Sequence, residues 1–348
     1  MSYNKTYPFQ FTGYGKEYFK IWIVNIALTL VTLGIYSAWA KVRTMRWFYG
    51  HTLLDGQAFS YLATPMQILK GRLIAVAALV AYYAAAFFSP ILGGIILACL
   101  LIVLPWIVVN SLRFNARHST YRGLRFDFTG KIGEAAIIYL LLPILLIPTV
   151  GLLLPYMAYR QVKFIASNSV YGQTATRYEG GVKPFVGVYL LSFALMLLPV
   201  AIVGYGIFQA TQLQGSGASK EAAFATVGGI IFVGMITFYL MLPIITAMIQ
   251  ARTANLLYNH AVMGPVGFAS NQRARDLIWI FLSNLVLIAL TLGIYIPWAK
   301  VRLARYRAQH LSLNGPQELD GFIAGQQQSG KATGAEVADL FDIDVGLA

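Results

Sequence analysis

The chain has 348 residues, 58% hydrophobic and 11% charged, with a formal net charge of +13. A soluble domain carries roughly 25% charged residues; uncharged runs such as 73–110 and 185–219 exceed the ~20 residues that cross a bilayer, which excludes an ordinary soluble domain and predicts a multi-pass membrane protein. Lys and Arg concentrate in cytoplasmic loops, so the positive charge needs no nucleic acid partner, and the single cysteine, Cys99, excludes an intramolecular disulfide and any Cys-cluster metal site.

The opening "MSYNKTYPFQFTGYGKE" is polar and aromatic and lacks the apolar core of a cleavable signal, so the membrane segments are expected to direct insertion. Within it, "FQFTG" at 9–13 alternates as a short strand would. An apolar segment follows over 17–39, then the basic helix-compatible stretch "WAKVRTMR", then His51 and "TLLDGQAFSY". Asp-Gly between alternating residues predicts a tight hairpin turn.

This order recurs along the chain. "SAW" at 37–39, "LPW" at 104–106, "LPY" at 154–156 and "IPW" at 296–298 each close an apolar stretch and open a basic one, and "LPI" at 242–244 is a weaker copy. The pairs Arg43/Arg46, Asn110/Arg113, Arg160/Lys163, Arg252/Asn255 and Arg302/Arg305 keep one i, i+3 spacing, which places both members on one helix face. Eight residues after the first member stand His51, His118, Asn168, His260 and His310. The expected fold class is therefore an all-α polytopic membrane protein. It would hold about five pseudo-repeats (9–61, 62–125, 126–180, 181–267, 268–315), each a helical hairpin plus a basic amphipathic helix, with short cytoplasmic β-hairpins between copies. Residues 1–315 would form one membrane domain, and 316–348 a flexible polar and acidic cytoplasmic tail.

The second and fourth copies are long enough for two full spans each. The three short apolar segments, 17–39, 134–156 and 276–298, admit two readings: re-entrant hairpins turning near Gly34, Gly151 and Gly293, or single spans. Hairpins put 25 of the 26 Lys and Arg on one side, with both termini cytoplasmic. Against them, fifteen helical residues rise about 22 Å, less than the ~30 Å core, and bare backbone at a tip needs hydrogen-bond partners.

The strings "FQFTGYGKEYFKIWIVN" (9–25), "VTLGIYSAWAKVR" (31–43) with "YGHT" (49–52), and "LTLGIYIPWAKVR" (290–302) resemble the YjgN family of bacterial inner-membrane proteins. The resemblance runs to about Gly315. It implies a polytopic inner-membrane protein and no particular activity. "SAW" at 37–39 departs from the pattern, which has Pro before Trp.

Two readings compete for the basic residues Lys41, Arg43, Arg46, Arg113, Arg160, Lys163, Arg252, Lys300, Arg302 and Arg305. They anchor the helices among interfacial headgroups, or they gather around one cytoplasmic vestibule that binds anionic headgroups or solutes. His51, His118, Asn168, His260 and His310 read as caps on the C-terminal ends of the basic helices. Asn25 and Asn284 are intramembrane polar groups that need partners. No catalytic residue, metal site or cofactor is expected, because nucleotide, zinc-hydrolase and nucleophile-elbow motifs are absent from the sequence. The expected partners are membrane lipids, anionic ones in particular. The sequence favours a transport-type protein, a channel or carrier for anionic solutes or lipids, with a non-transporting scaffold or anionic-lipid-binding protein as the alternative.

Overall fold

The computed structural model describes residues 5–215 and 219–317; of the tail expected over 316–348, all beyond 317 lies outside them. Ten strands form one closed antiparallel barrel in which sequence neighbours are also spatial neighbours. They are β1 (Lys5–Phe11), β2 (Thr52–Leu54), β3 (Gln57–Tyr61), β4 (Ser119–Tyr121), β5 (Leu124–Phe128), β6 (Ser169–Tyr171), β7 (Thr174–Tyr178), β8 (Ala261–Met263), β9 (Val266–Ser270) and β10 (Leu311–Gly315). β1 closes the ring against β10, with Thr6 opposite Asn314 and Tyr7 opposite Leu313. This overturns the all-α expectation. The strands are not separate hairpins laid between helical copies; they share one sheet. Each is too short to bury a face alone, and closure removes every edge.

Connections alternate between the two rims. One rim carries tight turns, such as those at Asp55-Gly56 and Arg122-Gly123, where both residues adopt the left-handed backbone of a type I′ turn. The other rim carries every helix among the described residues. These are α1 (Gly15–Val31) with α2 (Ser37–Gly50), α3 (Pro65–Phe88) with α4 (Pro90–Arg117), α8 (Lys183–Gly215) with α9 (Lys220–Asn259), and α10 (Ala274–Leu290) with α11 (Ile296–Gln309). The third insertion runs α5 (Ile132–Ala136), a π-helical stretch Ile137–Leu141, α6 (Leu142–Leu146) and α7 (Leu154–Ser167). Pro143, which has no N–H for the Tyr139 carbonyl four residues back, stands two residues past the π-helical stretch that contains Tyr139. Around the ring α2 touches α3, α4 touches α5, α7 touches α8, α9 touches α10, and α11 returns to α1.

Because each helical insertion leaves one strand and enters the next from the same rim, all five are hairpins. Of the two readings of the short segments, the structure contains the hairpin, turning near Gly34, Gly151 and Gly293. The four helices long and apolar enough to cross a membrane, among the described residues, are 65–88, 90–117, 183–213 and 224–259. The tips of the short hairpins are bare of protein cover: Leu33 is 95% and Leu292 93% exposed. Their backbone satisfies itself. Gly34 N–H donates to Thr29 O at 2.8 Å, Gly293 N–H to Ile288 O at 2.8 Å and Gly151 N–H to Leu146 O at 2.9 Å, the 6→1 closure of a helix C-terminus. The hydroxyl of Thr32 donates to Leu28 O and accepts from Tyr36 N–H; Thr291 repeats this with Leu287 and Tyr295. The objection that such tips need protein or water is met by "TLG" itself.

Inside the barrel, Tyr7, Leu54, Tyr121, Tyr171, Met263, Val266 and Leu313 form a buried cluster, with Phe9, Phe59 and Phe126 packed on it. Tyr121 donates to Leu54 O at 2.7 Å and Tyr171 to Tyr121 O at 2.9 Å, so these hydroxyls are paired. Burial raises the Tyr171 phenol far above its ordinary range, which keeps it neutral and donating. The strand-end rings of Phe11, Phe128 and Tyr178 instead pack among the helices. A Cβ at Gly130 would stand 2.4 Å from the Phe128 ring, which explains the glycine of "FDFTG".

One-sided topology is testable with thiols introduced into a Cys99→Ser background, since Cys99 is the only native cysteine. Gln57→Cys, Arg125→Cys and Arg177→Cys, all at exposed strand positions, should react with an impermeant maleimide from the same membrane side. Labelling of the Arg177→Cys protein from the side opposite to the Gln57→Cys protein would restore single spans.

Candidate functional site

The C-terminal ends of α2, α4, α7, α9 and α11 leave carbonyls without helical donors. The His/Asn positions meet that need. Nδ1 of His51 lies 2.7 Å from Trp47 O, His118 2.8 Å from Phe114 O, His260 3.0 Å from Leu256 O and His310 2.9 Å from Tyr306 O. Asn168 Nδ2 donates to Phe164 O at 2.8 Å. A carbonyl only accepts, so each Nδ1 carries the proton. The backbone carbonyls of these same residues accept from the strand-end corner that leads into the same hairpin: Thr12 N–H to His51 O, Leu62 to His118, Thr129 to Asn168, Glu179 to His260 and Asn271 to His310.

The second members of the i, i+3 pairs reach the following hairpin. Arg46 donates to Tyr61 O at 3.3 Å and Ala63 O at 3.1 Å, and Arg113 to Phe128 O at 3.2 Å. Asn255 donates to Gln272 O at 2.8 Å and accepts from Gln272 N–H. Arg305 crosses the join between chain ends and donates to Gly13 O at 2.9 Å. Lys163 departs from this: its ammonium lies 5.9 Å from the Tyr159 ring centroid.

The first members and the flanking lysines are dispersed. Arg160 bonds the Tyr156 hydroxyl at 3.0 Å and faces Glu134 at 3.7 Å. Arg302 donates to Ser283 Oγ at 2.7 Å and Asn284 Oδ1 at 3.3 Å. Lys41, Arg43, Arg252 and Lys300 are exposed. Asn25 makes only a long bond to Ala40 O, 3.4 Å, and its buried Oδ1 has no partner. The ten basic residues therefore do not converge on one vestibule.

What the fold does assemble is a cleft of about 990 Å³ where the last hairpin meets the start of α1. Lys16, Arg275, Arg302 and Arg305 line it against a single carboxylate, Asp276, beside Tyr14, Trp279 and Trp298. Asp276 is only loosely paired, 3.8 Å from Arg275 Nε. Arg305 also lies over the Tyr14 ring at 5.7 Å. A Cβ at Gly15 would come within 2.3 Å of Trp298, so glycine lets α1 start against the indole. Tyr306 forms part of the inner wall; its hydroxyl accepts from Arg273 N–H at 2.8 Å. Burial raises that phenol above its ordinary value, partly offset by this backbone bond, so the wall is uncharged there. Arg302 and Arg305 were legible as candidates. Lys16 was not, because it joins the cleft only when the chain's two ends meet, and Arg275 and Trp279 were not, because they stand on α10 outside the repeated i, i+3 spacing.

A family model described as a bacterial protein of unknown function, DUF898, matches residues 6–340. The chain belongs to this family. A relative from Salmonella typhimurium named "Inner membrane protein YjgN" is 24% identical over 90% of this chain and 89% of its own length. Proteins of that name from Escherichia coli O157:H7 and strain K12 are each 28% identical over 59% of this chain and 47% of their own. No solved structure matches. With four helices able to cross a bilayer and inner-membrane relatives, this family member is a polytopic membrane protein.

The arginines bonded to a neighbouring corner and the exposed cations should respond differently to mutation. Arg46→Ala removes two charge-assisted bonds to backbone and should cost about 1–2 kcal/mol of stability, reduced by its exposure, whereas Arg43→Ala should stay within about 0.5 kcal/mol. Thermal unfolding in detergent reads both; equal effects would refute the distinction.

Proposed function

We propose that this protein binds the headgroups of anionic lipids in the cleft between the α10–α11 hairpin and the start of α1, and that the barrel faces the cytoplasm. The observation that carries the reading is four cations set against one carboxylate, in a cleft bordered by Trp279, Trp298 and Tyr14. Tryptophan and tyrosine favour the headgroup level of a bilayer, and arginine binds phosphate bidentately. The orientation rests on the basic helices and the barrel sharing one side, which the positive-inside rule assigns to the cytoplasm. The tyrosines and phenylalanines packed along the barrel axis favour binding at the membrane face over conduction through the barrel. No covalent chemistry is proposed for the site; its partners are lipids.

Native mass spectrometry with equimolar phosphatidylglycerol and phosphatidylcholine checks this. Juxtamembrane cations contribute about 1 kcal/mol each toward anionic lipid, so Lys16→Gln with Arg275→Gln should weaken phosphatidylglycerol retention about tenfold or more. Equal retention of the two lipids by the unaltered protein, or a double variant with undiminished preference, would contradict the assignment.

A further inference from the structure

A second cavity, of about 1050 Å³, lies on the opposite face of α11 from the cleft. The cleft takes Trp298, Arg302, Arg305 and Gln309, whereas this vestibule takes Ala304, Arg307 and Ala308. Residues of α2, α4, α7 and α9 complete its wall, and Phe9, Phe59 and Phe126 of the barrel line its base.

Its lining is rich in unused hydrogen-bonding groups. Asn115, Gln161 and Gln272 present side-chain amides that have no hydrogen-bond partner among the described residues. Gln272 is only 7% exposed. Thr253 Oγ1 is buried without a partner. Buried polar groups are nearly always paired, with protein or with ordered water, and a ligand that reproduces those bonds can take the water's place. The charge is equally specific. Arg307 donates to Gln250 Oε1 at 2.7 Å and meets no carboxylate among the described residues. Asp127 also lines the cavity, but it is held by Arg117 at 3.0 Å and by Phe128 N–H at 2.7 Å. The vestibule thus offers one uncompensated cation, several neutral donors and acceptors, and an aromatic base.

We propose that the vestibule binds a small hydroxyl-bearing anion, of which a glycerophosphate group is the type. Arg307 takes the phosphate, the amides of Gln161, Gln272 and Asn115 take the hydroxyls, and the carbon chain lies on Phe9 and Phe59. At about 1050 Å³ the vestibule stands at the upper limit of small-molecule sites, roughly 300–1,000 Å³, and admits a glycerophosphate group with room to spare. The group could arrive free from the cytoplasm or as the headgroup of a lipid, and the inference does not depend on the cleft.

The test is calorimetric titration of the full chain in zwitterionic nanodiscs with glycerol 3-phosphate, inorganic phosphate and glycerol. Glycerol 3-phosphate should bind saturably, phosphate at least tenfold more weakly, and glycerol not measurably. Arg307→Gln should weaken glycerol 3-phosphate binding at least tenfold with an unchanged melting profile. If that variant fails to fold, Gln161→Ala, on an independent helix, should weaken it several-fold. Competition by short-chain phosphatidylglycerol would assign the lipid source, and its failure the free metabolite. No saturable heat with glycerol 3-phosphate up to millimolar concentration, or binding indifferent to Arg307→Gln and Gln161→Ala, would overturn the proposal and leave a water-filled vestibule.

Discussion

The structure depends on how five helix ends are tied to a ring of short strands. A helix C-terminus pointing out of the membrane leaves carbonyls exposed where the chain must turn. In this fold each such end is closed by an imidazole or amide bonded back one turn, while the carbonyl of that same residue accepts from a strand-end corner. Arg46, Arg113, Asn255 and Arg305 then reach the neighbouring hairpin's corner. The first tie fixes a hairpin to its own strand, and the second fixes it to the next. With the first at all five hairpins and the second at all but the Lys163 position, the two hold a barrel whose strands, some only three residues long, would not hold a sheet alone.

That base frees the other end of each hairpin for lipid. The short hairpins end in "TLG" or "TVG" turns whose backbone bonds are internal, so apolar side chains such as Leu33 and Leu292 can face hydrocarbon. Since α11 packs on α1, two of the short hairpins are neighbours, and the basic, aromatic cleft lies between them. The join between the chain's ends is therefore both the contact that closes the ring and the place where cations and indoles line one cleft. Arg305 serves both, bonded to Gly13 and facing the cleft.

Much of this was legible locally and little of it globally. The i, i+3 pairs and the His51, His118, Asn168, His260 and His310 slot marked real positions, because helix ends and turns are encoded within a few residues. The alternation in "FQF" and "FDF" marked strands β1 and β5. Closure was invisible: Thr6 and Asn314 are 308 positions apart, and no local pattern announces a pairing at that distance. For the same reason five pairs at one spacing suggested a common ring of charge. The helix ends instead direct the second cation sideways to a neighbouring corner. Arg307, which does line the central vestibule, stands two residues past Arg305 and outside that spacing.

Closure of the ring by the first and last strands is the claim on which the rest stands, and a cross-link tests it most directly. Thr6 and Asn314 face each other across β1 and β10, with their side chains 2.8 Å apart. In a Cys99→Ser background, Thr6→Cys with Asn314→Cys should oxidise to an intramolecular disulfide, seen as a monomer whose gel mobility shifts on reduction, and neither single variant should do so. Absence of the bond under oxidation, or formation of disulfide-linked dimers alone, would contradict a barrel closed within one chain.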